Sequence, residues 1–321
     1  MISDKLRSKY LNIRWEFADY AQKWQRKLRP DSYQPPKTPI SPGLERCKDV
    51  TVILLVMDPS HLLDRCLESL ENQTLKPVKT EMIRNVSPAP KAMQIGLDRV
   101  ETEYFVPVDE DMVLYPRCIE QLHYLISKTP KRGKVTLHLE DPIMGVIRGV
   151  HIYRTSAARP IGYYPMDDDK EYAKRLTRRL EEEGWECPAH KNFRGEKVIG
   201  GVHHPVYLPH EAYWKFHFVG EQERYYSFER WNWDNQYPRL YYFVEKITAY
   251  WQRTGDKNAI YALAGLMDGA FHSTDISKLN SYEGRLEDPQ FQRVHEYLQN
   301  FKDMDRKPVK KGLWKWASFF K

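Results

Sequence analysis

The feature that most constrains this chain is an alternation of strand-like and helix-like segments that begins at residue 49. The run DVTVILLVMD, residues 49–58, is almost entirely apolar and rich in β-branched residues, as expected of a strand buried on both faces. A helical segment with its leucines on one face follows, and two further strand–helix pairs end near residue 127. This pattern predicts an α/β fold with a doubly wound, mostly parallel sheet flanked by helices.

Polar residues follow the first three predicted strands, and ligands of such sheets bind beyond the carboxyl ends of the strands. Asp58 follows the first strand, Asn85 the second, and the run Asp109-Glu110-Asp111 the third. Three adjacent carboxylates repel one another, and Mg²⁺ or Mn²⁺ would relieve that repulsion. Such an ion would also neutralise charge on a diphosphate leaving group. The alternative interpretation is a solvated acidic turn.

The stretch Asp49–Pro116 resembles the nucleotide-binding half of GT-A glycosyltransferases, and it is most similar to their large family 2. It contains in the family's order the opening strand, the phrase SLENQT at 69–74 and the phrase EYFVPVDEDMVLYP at 103–116. The resemblance implies a GT-A fold and a nucleotide-sugar donor bound through Mn²⁺ or Mg²⁺, with Asp109 and Asp111 as the D-x-D metal ligands. The candidate donor-binding residues are Asp58, Asn85, Lys91 and Glu110.

Two of these positions depart from the family pattern. Asn85 stands where the family has the aspartate that reads uracil, and Asp58 replaces a small polar residue. The base and the sugar of the donor therefore stay open.

A second matching phrase, DDKEYAKRL at 168–176, corresponds to the acidic start of a helix in inverting members of the family. The resemblance implies that Asp169, or its neighbour Asp168, is the general base that takes the proton of the acceptor hydroxyl. Acidic residues also favour helix N-termini, so a purely structural role is the alternative. Inversion is the favoured stereochemistry, and a retaining transferase stays open.

Five of the 11 histidines fall within residues 190–217. In the family, a histidine after the acidic helix often completes the metal site, so the resemblance implies His203 or His204 in the phrase GGVHHPVY. Imidazole suits Mn²⁺ better than Mg²⁺. The competing interpretation is a zinc cluster formed by Cys187 and His190 with these two histidines.

The positive charge is concentrated at the two ends of the chain. Residues 1–40 and 302–321 each carry a formal net charge of +5, whereas the intervening body carries −4. This distribution argues against a nucleic-acid-binding core and suits tails that meet an anionic membrane surface. The amphipathic helix predicted at 4–28 has three open roles: packing on the body, pairing with a second protomer in a homodimer, or lying on a membrane.

The sequence contains no apolar run long enough for a membrane-spanning helix and no secretory signal, and its four scattered cysteines suit a reducing compartment. These features predict a cytoplasmic protein, peripheral on the inner face of a membrane. We expect an N-terminal helix and Pro-rich linker at 1–45, a GT-A catalytic domain at 46–220, and an aromatic helical region with a basic tail at 221–321.

The expected function is a metal-dependent glycosyltransferase that moves a sugar from a nucleotide diphosphate donor to a glycan or lipid-linked acceptor. A nucleotidyltransferase is one alternative, although the strand-to-helix turns carry no basic Gly-rich triphosphate loop. The other alternative is a catalytically inactive scaffold. Such a scaffold would bind glycan or membrane through basic and aromatic surfaces, which include the 11 aromatic residues between 225 and 251.

Overall fold

The computed structural model of the protein describes residues 47–58, 60–163, 172–191, 195–228 and 237–271. The predicted N-terminal helix, the Pro-rich linker, Asp168, Asp169 and the basic C-terminal tail lie outside these residues. The chain divides into two compact units that meet between residues 206 and 207. The domain boundary expected at residue 220 lies inside a helix that runs from 209 to 228.

The described part of the first unit contains seven strands and five helices. The strands are β1 (Cys47–Val56), β2 (Pro77–Arg84), β3 (Tyr104–Asp109), β4 (Met112–Leu114), β5 (Lys134–Asp141), β6 (Gly145–Arg154) and β7 (Ile199–His203). The helices are α1 (Leu63–Glu71), α2 (Ala89–Asp98), α3 (Cys118–Ser127), α4 (Thr155–Ala158) and α5 (Tyr172–Glu182).

The seven strands form one sheet in the order β2-β1-β3-β6-β5-β7-β4. Strands β2 and β3 are parallel to β1, and β7 is parallel to β5. Strand β6 lies antiparallel between β3 and β5, and β4 is antiparallel to β7. Five strands therefore run in one direction, and β4 and β6 run in the other. The predicted α/β fold is confirmed, with a mixed sheet whose strands are mostly parallel.

Apolar side chains cover both faces of this sheet. Alternate residues of β1 point to opposite faces, so Leu54 packs in one core with α1 and α3, and Ile53 packs in the other with α2, α4 and α5. Both side chains are fully buried. This two-sided burial explains why β1 is a continuous apolar run rather than an alternating one.

The second unit is helical in its described part. Its helices are α6 (Pro209–Phe228), α7 (Tyr237–Thr254) and α8 (Asn258–Phe271). Helices α6 and α8 pack with their backbones in close contact, because a Cβ atom at Gly265 would lie 2.0 Å from the carbonyl oxygen of Tyr213. The hydroxyl of Tyr213 also donates a hydrogen bond of 2.7 Å to Asp268. None of the described helices combines the length and apolar character needed to cross a membrane.

Candidate active site

Strand pairing in the sheet brings the acidic turn after β3 next to the paired histidines at the end of β7. Asp109 ends β3 beside Leu55 of β1, and the chain turns at once into β4. Strand β4 pairs with β7 so that Met112 lies opposite His203. This close pairing requires a glycine in β7, since a Cβ atom at Gly201 would lie 2.4 Å from the carbonyl oxygen of Val113. Two segments about 90 residues apart in sequence therefore share one edge of the site.

Both histidines contact the same carboxylate oxygen. Oδ2 of Asp111 lies 3.0 Å from Nδ1 of His204 and 3.3 Å from Nε2 of His203. All three side chains are largely buried, with exposures of 23%, 12% and 17% for Asp111, His204 and His203. The arrangement places one acidic and two imidazole side chains together at the carboxyl end of β3.

The backbone of His204 adopts a left-handed conformation with φ of 48°. Histidine is among the non-glycine residues that tolerate this region, but the conformation carries strain of order 1 kcal/mol. The backbone N–H of His204 donates a 2.7 Å hydrogen bond to the carbonyl oxygen of Asp111. This hydrogen bond to the acidic turn stabilises the strained backbone of His204. Strained residues of this kind are common at functional sites.

Desolvation and neighbouring negative charges raise the pKa values of carboxyl groups in the acidic turn. Burial raises the pKa of Asp109 from 3.8 to about 7, and the neighbouring charges of Asp111 and Glu110 add to that increase. Burial also raises the pKa of Glu110, although hydrogen bonds from backbone N–H groups, including that of Met57, oppose the shift. In the absence of a cation, ionising this turn at neutral pH therefore costs free energy.

The donor set agrees in chemistry with Mn²⁺ or Mg²⁺. Neighbouring ligands of an octahedral ion at about 2.1 Å are about 3.0 Å apart, close to the distances of Asp111 Oδ2 from one nitrogen of His204 and one nitrogen of His203. In the described part of the chain, no group of three or more His, Cys, Asp or Glu side chains is arranged so that it could hold a metal ion. Such ions often take only one or two protein ligands and fill the remaining positions with phosphate oxygens and water. The residues present fit an ion of that kind.

A second polar network lies at the carboxyl ends of β1 and β2. The Arg84 guanidinium donates to both carboxylate oxygens of Asp58, at 2.7 and 2.9 Å. The Asn85 side chain accepts the backbone N–H of Asp58 at 2.9 Å and donates to its carboxylate at 3.2 Å. Asn85 also has a left-handed backbone with φ of 54°. Both amide atoms of Asn85 are therefore bonded to Asp58, next to the acidic turn.

The remaining candidates have different surroundings. Oε1 of Glu110 accepts the backbone N–H of Met57 at 3.2 Å, which ties the acidic turn to the end of β1. Lys91 is exposed in the first turn of α2. The candidate general bases, Asp168 and Asp169, lie outside the described residues, so their role stays a prediction. The structure brings together the acidic turn, both histidines, Asp58 and Asn85.

The sequence analysis missed two residues at this site. Asp141 ends β5, and its Oδ2 lies 3.1 Å from Nδ1 of His203. His61, in the turn after β1, packs its ring 6.3 Å from that of His204, with the ring planes at 74°. Each of them follows or ends a strand at the carboxyl edge, so the rule that identified Asp58 and Asn85 could have found them.

Comparisons with solved structures return matches of low sequence identity. A mannosyltransferase from Pyrobaculum calidifontis in complex with GDP-Man and Mn²⁺ is 12% identical at a TM-score of 0.38, over 93% of this chain and 99% of that one. Glucosyl-3-phosphoglycerate synthase from Mycobacterium tuberculosis, in complex with Mg²⁺ and UDP, is 8% identical at a TM-score of 0.35, over 54% and 77%. A CMP:2-keto-3-deoxy-manno-octonic acid synthetase complexed with CTP is 12% identical at 0.36, over 49% and 94%.

These three matches have identities of 8–12% and TM-scores of 0.35–0.38. No family model and no curated protein sequence matches the chain.

Proposed function

We propose that this protein is a metal-dependent glycosyltransferase that takes its sugar from a nucleotide diphosphate donor. The observation that carries the proposal is the meeting of the partly buried acidic turn with His203 and His204 at the carboxyl ends of the strands. A desolvated carboxylate cluster next to imidazole nitrogens is a site for a divalent cation. Its position beside the ends of β1 and β2 suits a nucleotide bound across the sheet edge.

Asp111 and a histidine would hold the ion, and Asp109, in the same acidic turn, would add negative charge to the site. When bound, Mn²⁺ or Mg²⁺ supplies electrostatic stabilisation of the diphosphate leaving group. The network of Asp58, Arg84 and Asn85 would orient the nucleoside next to that diphosphate. Its guanidinium and carboxylate offer hydrogen-bond donors and acceptors to polar groups of the nucleoside.

On the acceptor side, Asp169, or Asp168, would take the proton of the attacking hydroxyl. An acceptor that is a glycan or a lipid-linked glycan, used at the cytoplasmic face of a membrane, would agree with the basic tails.

The test is calorimetric titration of the protein with UDP and GDP, with and without Mn²⁺. We expect binding that requires the ion and that falls at least tenfold in Asp111→Asn, because the variant loses the charge shared by both histidines. A matched control is Asp49→Asn, which alters another aspartate that bonds a histidine, His123, at the opposite end of β1. Ion-independent binding, or undiminished binding by Asp111→Asn, would contradict the metal assignment.

Turnover separates this proposal from its alternatives. A glycosyltransferase should release nucleoside diphosphate from some member of a panel of UDP- and GDP-sugars in the presence of Mn²⁺. Release of diphosphate from a nucleoside triphosphate would instead favour a nucleotidyltransferase. Failure of nucleotides to bind at all would favour the inactive scaffold.

A further inference from the structure

Asp141 has a buried carboxyl group, and each of its two oxygens contacts a partner. Its side chain has 0% solvent exposure. Oδ1 accepts hydrogen bonds from the backbone N–H groups of Ile143 and Met144, at 3.0 and 2.8 Å. Oδ2 faces Nδ1 of His203 at 3.1 Å. The turn between β5 and β6 therefore sets the direction in which this carboxyl group meets the histidine.

This contact determines which imidazole nitrogen of His203 carries a proton. A carboxylate offers only acceptors, and both ring nitrogens of His203 face one, although a neutral ring has a single N–H to donate. The contact of Nδ1 with Asp141 is the shorter, 3.1 Å against 3.3 Å for Nε2 with Asp111, so we expect the proton on Nδ1. A cation bound between Nε2 and Asp111 would stabilise this arrangement. With the proton on Nδ1, the lone pair of the neutral ring is on Nε2. That nitrogen is the one 3.3 Å from Oδ2 of Asp111. His203 thus presents an acceptor nitrogen toward the acidic turn.

His204 differs from His203 in this respect. Its Nδ1 faces Oδ2 of Asp111 at 3.0 Å, and its backbone N–H bonds to the carbonyl oxygen of the same residue. Both contacts of His204 are therefore with Asp111. Of the two histidines, His203 has the ring nitrogen opposite the acidic turn bonded to a fully buried carboxyl group.

We propose that Asp141 is a positioning residue that holds His203 in its Nδ1–H tautomer, with Nε2 directed at the divalent ion of the proposed reaction. The inference rests on the proposed function and selects His203 as the histidine that contacts the ion. Partners that orient a ligating imidazole in this way typically change metal affinity by about 10- to 100-fold when removed. Asp141 itself need not touch the ion or the donor.

Asp141→Asn is an informative variant because the two backbone N–H groups of the turn still require an acceptor. The carbonyl oxygen of the new amide takes that place, so its NH₂ group is directed at Nδ1 of His203. A nitrogen that faces an N–H donor must be an acceptor. We therefore expect the variant to move the proton to Nε2, which removes the lone pair from the ion-facing side while the fold is retained.

The first measurement is the ¹⁵N chemical shift of the His203 ring nitrogens in the metal-free protein at alkaline pH. The signals are assigned by their loss in His203→Gln. We expect Nδ1–H in the natural protein and in Asp49→Asn, and Nε2–H in Asp141→Asn. An Nε2–H ring in the natural protein, or an unchanged tautomer in Asp141→Asn, would refute the positioning role.

The second measurement is calorimetric titration with Mn²⁺ in the presence of UDP. We expect Asp141→Asn to weaken Mn²⁺ binding by about 10- to 100-fold and Asp49→Asn to leave it unchanged. If the natural protein binds Mn²⁺ with nucleotide and Asp141→Asn binds it equally well, the inference fails and the proposed function stands. If the natural protein binds neither Mn²⁺ nor UDP, the proposed function fails, and the inferred role of Asp141 toward an ion fails with it.

Discussion

Replacing Asp109 by asparagine should stabilise the metal-free protein at neutral and alkaline pH. The pKa of Asp109 is raised from 3.8 to about 7, first by burial and then by the charges of Asp111 and Glu110. The folded chain therefore binds this proton more tightly than the unfolded chain. The contribution of Asp109 to the free energy of unfolding is greatest below the unfolded-state pKa of 3.8, where both states are protonated. This contribution is lost as pH rises from about 4 to about 7.

A shift of about 3 pH units corresponds to about 4 kcal/mol at 1.36 kcal/mol per unit. The Asp109 side chain retains intermediate exposure, so solvent screening reduces this figure, and we expect about 2 kcal/mol. Asparagine resembles the protonated carboxyl group and cannot ionise. The variant should therefore match the natural protein at about pH 3 and exceed its stability by about 2 kcal/mol at pH 8.

The assay is urea unfolding followed by circular dichroism at both pH values, without divalent cations. Asp64→Asn is the control, because it removes an exposed carboxylate from the first turn of α1 and should change stability by less than about 0.5 kcal/mol. Equal stability of Asp109→Asn and the natural protein at pH 8 would refute the argument that this turn is destabilised by its own charge. Adding Mn²⁺ and UDP should then stabilise the natural protein more than the variant.

Two further predictions concern regions outside the described residues. Asp169→Asn should leave nucleotide binding nearly unchanged and lower turnover by about 10²- to 10⁴-fold, because the acceptor hydroxyl loses its base; unaffected turnover would place the base elsewhere. Deleting residues 308–321, which carry lysines beside tryptophan and phenylalanine, should weaken cosedimentation with vesicles that contain anionic lipid. An unchanged sedimentation profile would count against a membrane-binding tail.

The local pattern of apolar and charged residues was sufficient to predict the strands and helices that lead up to the acidic turn. The apolar run of β1, the leucine face of α1 and the acidic end of β3 were all readable, because each depends on periodicity or composition within a short window. The helix at Tyr172–Glu182 and its end at Gly184, which has a φ of 84°, were similarly predictable. Their boundaries differ from expectation by a few residues, as helix and strand ends often do.

The site itself could be predicted only in part. The acidic turn and the two histidines were candidates from sequence, but the sequence could not say which histidine faces which carboxylate. That answer depends on the pairing of β4 with β7 and of β5 with β7, which brings Asp141 and Asp111 to opposite sides of the His203 ring. Strand pairing at long sequence separation leaves no local signal, so the contact of Asp141 with His203 could not be predicted, although the position of Asp141 at a strand end could have been.

The sequence by itself determined the α/β class, the order of the first strands and helices, and the position of a carboxylate cluster at a strand end. These follow from side-chain periodicity, which acts over a few residues. The tertiary structure decided that β4 and β6 run against the other strands, and that the acidic turn is desolvated and lies against His203 and His204. Desolvation and ring orientation are consequences of packing between distant segments, and only the folded sheet sets those distances.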